Sequence, residues 1–254
     1  MQLPEGLKIF DAHFHIIDPR FPLIANNGYL PPAFTCADYL TRMRHYPLRG
    51  GAVVSGSFQA FDQGYLLDAL KTLGNGFIGV TQLPASVSDE QLLQLNAAGV
   101  RALRFNVRRG GSEQLDQLEQ FARRVHERVG WHAELYIDSN DLPALYARLT
   151  ALPALSIDHL GLSKQGFPTL LKLVEQGVRV KATGFARVDF DVRGALRDLY
   201  AANPQALLFG TDLPSTRAPS PYSDDDPVLV LETLGEAAAH KVLWQNAIDF
   251  YRVR

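Results

Sequence analysis

KIFDAHFH (8–15) is an apolar, β-rich run that closes on two histidines, and the way such runs recur decides the fold. Seven more follow: GAVVSGS (51–57), GFIGVTQL (76–83), GVRALRFNV (99–107), WHAELYID (131–138), LSIDHLG (155–161), VRVKATG (178–184) and LLFGTDL (207–213). Most are too continuously apolar for a sheet with one wet face, so strands buried on both faces are expected. Helical patterns separate them. Ser112 is placed to cap a helix with Leu115, Leu118, Ala122, Val125 and Val129 on one face, stopping before Gly130. Ser88 with Gln91, and Thr35 with Asp38, have capping-box spacing. Gly74, Gly99 and Gly177 stand where helices should stop. Eight β/α units in 254 residues predict one (β/α)8 TIM barrel, a single domain over 1–254. A doubly wound α/β sheet is the competing arrangement, but no strand is followed by the glycine-rich phosphate loops such sheets use.

Composition removes several function classes. Lys plus Arg is 25 and Asp plus Glu is 27, a formal net charge of −2. A nucleic-acid binder usually carries a basic excess, so none is expected as a partner. Hydrophobic residues are 46% and charged residues 20%, which fits a packed globular chain and not a disordered one. No apolar run approaches the roughly 18 residues of a membrane span. The opening MQLPEGLKIFDAHFH lacks a basic stretch followed by an apolar one, so no signal peptide is expected, and a cytoplasmic location is. The one cysteine, Cys36, excludes CxxC zinc sites and an intrachain disulfide.

The chemistry gathers at the strand ends. His13 and His15 are two apart, and i and i+2 share a side of a strand, so both rings should enter the barrel near its top. Burying two imidazoles there is costly without partners. His159 closes the sixth run and Asp212 the eighth. Each alone reads best as a cap or turn residue; all four at the C-terminal ends of the first, sixth and eighth strands read as a site. Two long loops, 18–35 and 214–227, follow the first and last strands, which are neighbours in a closed barrel, so both should cover the same sector of that face. Arg104 sits within an apolar run and needs a partner. Arg108 and Arg109 follow it, Arg187 follows the seventh strand, and Arg217 lies in the last loop. Guanidinium groups bind carboxylates bidentately, so several around one pocket point to a small anionic substrate with more than one carboxylate.

DAHFH, ALRFN, IDHLG, FGTDLP and the C-terminal VLWQNAIDFY resemble the amidohydrolase superfamily, in particular its branch of 2-pyrone-4,6-dicarboxylate lactonase and related sugar and sulfo-lactone hydrolases. The resemblance spans nearly the whole chain. It implies hydrolysis of a carboxylated lactone without a metal. It also implies that Arg104, Arg187 and one of Arg108 and Arg109 hold substrate carboxylates, with contacts from Ser55, Ser57 and Tyr136. Two departures bear on the chemistry. The fifth strand offers Glu134, Tyr136 and Asp138, with His132 at the wrong end, where metal-dependent relatives usually place a histidine; the fourth offers Arg104 and Asn106 in place of a bridging ligand. A binuclear centre is therefore not expected. One zinc on His13, His15 and Asp212, with or without His159, remains the alternative, because three protein ligands and a water suffice. Leu213 and Ser215 stand where the resembled lactonase has a tryptophan and a histidine, which leaves the particular lactone open. Asp212 is the expected general base and His13, His15 and His159 the expected donors to the carbonyl oxygen. A zinc-dependent decarboxylase or hydrolase, and a barrel that only binds an anionic metabolite, are the competing functions; the sequence sets no oligomeric state.

Overall fold

Eight parallel strands pair in chain order in the computed structural model: β1 (Ile9–Phe14), β2 (Leu48–Val54), β3 (Phe77–Thr81), β4 (Val100–Phe105), β5 (His132–Leu135), β6 (Leu155–Ile157), β7 (Arg179–Ala182) and β8 (Leu207–Phe209). The structure describes residues 3–253, so Met1, Gln2 and Arg254 of the expected 1–254 unit lie outside the described residues. The barrel closes just beyond the strands: His15 N–H donates to the Leu213 carbonyl and Asp212 N–H to the His13 carbonyl, both at 2.7 Å. Every expected run overlaps its strand; β2 starts earlier, at Leu48, and β6 and β8 have only 3 residues each. Chain direction changes at those ends, so His159 and Asp212 lie in the turns above the strands.

Helices cover the outside, as period-3.6 patterns between buried strands require. Both capping boxes form, at Thr35 with Asp38 before α1 (Cys36–Met43) and at Ser88 with Gln91, and α2 (Gly64–Leu73) stops at Gly74. The Ser112 expectation is corrected. The α-helix covering Leu118–Val129 starts later, after a 3-10 turn, and Ser112 instead accepts a hydrogen bond from Asn106 N–H at 2.8 Å. Gly110 and Gly111, both at positive φ, turn the segment back over the strand end and take Ser112 away from the helix.

The barrel interior is divided. Phe10, Ala52, Val54, Ile78, Val80 and Leu208 fill one half, closed below by Tyr251. The other half holds Arg104, His132, Glu134, Ser156, Asp158 and Lys181, all buried. No helix among the described residues is long and apolar enough to cross a membrane.

Candidate active site

Strand β1 delivers both histidines through an irregularity. Its register against β2 shifts between Asp11 and Phe14. Asp11 turns outward, where it accepts from the Tyr39 hydroxyl (3.1 Å) and from the backbone and hydroxyl of Thr211 (2.8 and 2.7 Å), clamping β1 to the chain after β8. His13 and His15 turn inward, with ring centroids 5.0 Å apart, and the His159 ring lies 4.9 Å from His13. The Nε2 atoms of all three stand 3.9 Å from one atom, Asp212 Oδ1. Neither Asp212 Oδ1 nor His13 Nε2 has a hydrogen-bond partner among the described residues. His159 and Asp212 hold left-handed backbone, φ 52° and 61°, uncommon for residues with a side chain and found where local structure enforces it. A Cβ on Gly210 would lie 2.6 Å from the His13 nitrogen, so only glycine lets β8 pass this close to the histidine.

Burial and like charge keep the imidazoles neutral. Burial, then Arg104, lowers His15 to about 3. Burial, with Lys181 at His13 and Arg187 at His159, holds those two well below the ordinary histidine value. Asp212 is lifted to about 6 by burial, against the pull of Arg187, whose Nε donates to Oδ2 at 2.7 Å. The outer nitrogens are also fixed: His15 Nδ1 contacts the Val54 carbonyl at 2.7 Å, and His159 Nδ1 the Thr183 hydroxyl at 2.6 Å.

Beneath this cluster lies an ion network that the sequence reading did not assign. Arg104 donates to Asp158 Oδ2 at 2.9 Å and to the Ser55 carbonyl. Lys181 pairs with Glu134, which also accepts from Tyr251 (2.6 Å) and contacts His132 (2.9 Å). His132 is thus at the floor, away from the site, as its place at the start of the run indicated. The signal for Lys181 was available: a lysine in VRVKATG is a charge inside an apolar run, like Arg104.

Arg104, Arg109, Arg187, Arg217, Tyr136 and Ser57 line the cavity above the cluster. Two expected contacts are corrected. Arg108 is exposed, because the turn after β4 sends it outward and leaves Arg109 facing in. The Ser55 hydroxyl bonds to Tyr65 at 2.6 Å, and only its carbonyl serves the site, through Arg104. Arg217 donates to Ser57 Oγ and Asn26 Oδ1, both at 2.9 Å, so loops 18–35 and 214–227 meet over the mouth as expected. Ligating atoms of His13, His159 and Asp212 lie within 4.8 Å of one another, a spacing that would surround one ion.

A family model described as Amidohydrolase matches residues 10–253. The chain is 30% identical over 253 residues to a 2-pyrone-4,6-dicarboxylate hydrolase of Comamonas testosteroni, covering 88% of this chain and 82% of the relative. It is 27% identical over 266 residues to a D-galactarolactone isomerase of Agrobacterium fabrum, covering 96% and 90%. An apo crystal structure from Agrobacterium tumefaciens superposes with a TM-score of 0.85 at 22% identity, covering 99% of both chains, and shares the fold. From strand-end histidines to barrel closure, the chain belongs to the amidohydrolase family.

Proposed function

We propose that this protein hydrolyses a lactone bearing two carboxylates, with Asp212 as general base and no metal. One observation carries the reading: three imidazole Nε2 atoms stand equidistant from a carboxylate oxygen that has no hydrogen-bond partner among the described residues. That gap suits a water and the reacting carbonyl. Asp212 Oδ1 takes a proton from the water as its oxygen attacks the lactone carbonyl. An imidazole N–H of the cluster stabilises the oxyanion in a site sheltered from solvent. Collapse breaks the ring C–O bond, and the proton held by Asp212 passes to the leaving oxygen, so water is consumed and the carboxylate regenerated.

Charge supports the substrate class. Of the cavity's four arginines, Arg104 is paired with Asp158 and Arg187 with Asp212. Arg109 and Arg217 have no carboxylate partner among the described residues. Burial and the neighbouring Arg109 lower the proton affinity of Arg217, a cost that a bound anion would relieve. Two uncompensated guanidiniums match a dianion, and the Comamonas relative's substrate is named as a dicarboxylate.

The spacing favours a second reading, one zinc on His13, His159 and Asp212, with His159 in the place the sequence expectation gave to His15. The surroundings do not fit it. Arg187 occupies Asp212 Oδ2, and Arg104 and Arg187 press on the histidines with positive charge that would equally repel a divalent cation. A panel of carboxylated lactones, assayed with metal quantification and with product identification by mass and NMR, tests the reading. Ring-opened hydroxy acid from metal-free protein is expected. A product of unchanged mass would mark an isomerase, and binding without product a non-catalytic barrel.

A further inference from the structure

We propose that Lys181 is a positioning residue that holds His13 in the tautomer with its proton on Nε2, so that His13 offers the site an N–H and not a lone pair. The Lys181 side chain is wholly buried, and its Nζ has three polar neighbours: Glu134 Oε2, His13 Nδ1 at 3.3 Å and Asp158 Oδ1 at 3.8 Å. An ammonium has only donors. Its contact with His13 Nδ1 is a hydrogen bond only if that nitrogen carries the lone pair. In a neutral imidazole the proton then lies on Nε2, the atom that faces Asp212 Oδ1 across 3.9 Å. Glu134 fixes the ammonium from below, and is itself tied down by Tyr251 and His132.

The neighbouring histidine is set the opposite way. His15 Nδ1 faces the Val54 carbonyl at 2.7 Å. A carbonyl only accepts, so His15 bears its proton on Nδ1 and turns a lone pair toward Asp212. Thr183, against His159, can donate or accept, so the third ring is adjustable. The cluster therefore has polarity: His13 donates, His15 accepts. A competing acceptor for His13 lies close by. Asp158 Oδ1 is 3.6 Å from His13 Nδ1 and has no hydrogen-bond partner among the described residues. Without the lysine, an Nδ1–H could turn to Asp158, and Nε2 would become a lone pair.

Long-range proton–nitrogen spectra of the full-length protein with ring-labelled histidines read each tautomer directly, with His13→Gln assigning the signal. Wild type is expected to show His13 protonated at Nε2 and His15 at Nδ1. The double variant K181M/E134Q removes the ammonium together with its counter-charge, and should move His13 to the Nδ1–H form or a mixture. Wild-type His13 protonated at Nδ1 would overturn the proposal without any variant. So would an unchanged tautomer in a folded K181M/E134Q. If that variant does not fold, the wild-type spectrum decides alone. On a lactone that wild type hydrolyses, the double variant should lose kcat by about 10-fold or more, as for loss of an oriented donor, with KM nearly unchanged. The tautomer measurement needs no substrate, so it stands or falls separately from the lactone reading.

Discussion

At Asp212, burial outweighs Arg187 and lifts the carboxyl to about 6, which places the base near neutral working pH. The active form is the deprotonated one. The pH profile of kcat/KM should therefore be flat above about 6 and fall tenfold per unit below it, as titration of one essential base in the free enzyme requires. Asp212→Asn keeps the shape and removes the base; kcat should drop by about 10² or more while substrate still binds. Gly210→Ala removes no polar group, yet its Cβ would strike the His13 backbone at the barrel seam, so loss of activity together with a lowered unfolding midpoint is expected. Much of this was legible because HxH and a terminal Asp are local signals: position in a strand says where they point. The pairing of Asp158, Glu134 and Lys181 was not, because their partners come from neighbouring strands whose register the sequence does not print; a lysine inside an apolar run marked only that Lys181 needed a partner. The choice between Arg108 and Arg109 depended on a turn made by two positive-φ glycines.

The loops above the strands form a latch. Asn26 joins two sides of it: its side-chain Nδ2 donates to the Arg109 carbonyl at 2.9 Å, and its Oδ1 accepts from Arg217. Arg217 in turn stacks 4.7 Å over the Tyr29 ring. Asn26→Ala should speed hydrogen exchange in both 18–35 and 214–225, since hydrogen bonds to a charged group are worth about 1.5–3 kcal/mol. Arg109→Met, whose guanidinium has no protein partner among the described residues, should instead raise KM for a dicarboxylate and leave exchange in the latch unchanged. Exchange mass spectrometry with steady-state kinetics separates the two effects. That these loops meet followed from barrel closure alone. That they are tied through Asn26 did not, because a side-chain bond across 191 residues leaves no local pattern.

Across the whole barrel, one half of the interior is ionic and supports the site from below. This changes what Arg104→Met should do. Loss of a carboxylate-holding guanidinium should raise KM, and the Arg104–Asp158 pair adds a cost in stability. Leaving Asp158 buried without its hydrogen-bonded cation should cost about 3–5 kcal/mol in denaturant unfolding, and pairing the change with Asp158→Asn should recover part of it. The same concentration of positive charge argues against a cation beside the histidines, and so leads to the central claim. Its most direct test is the rate of ring opening, on whichever lactone of the carboxylated panel the untreated protein hydrolyses, by protein exhaustively chelated and shown by elemental analysis to be free of metal. Undiminished hydrolysis is the predicted result; turnover that is absent from the metal-free protein and returns only with zinc would contradict it.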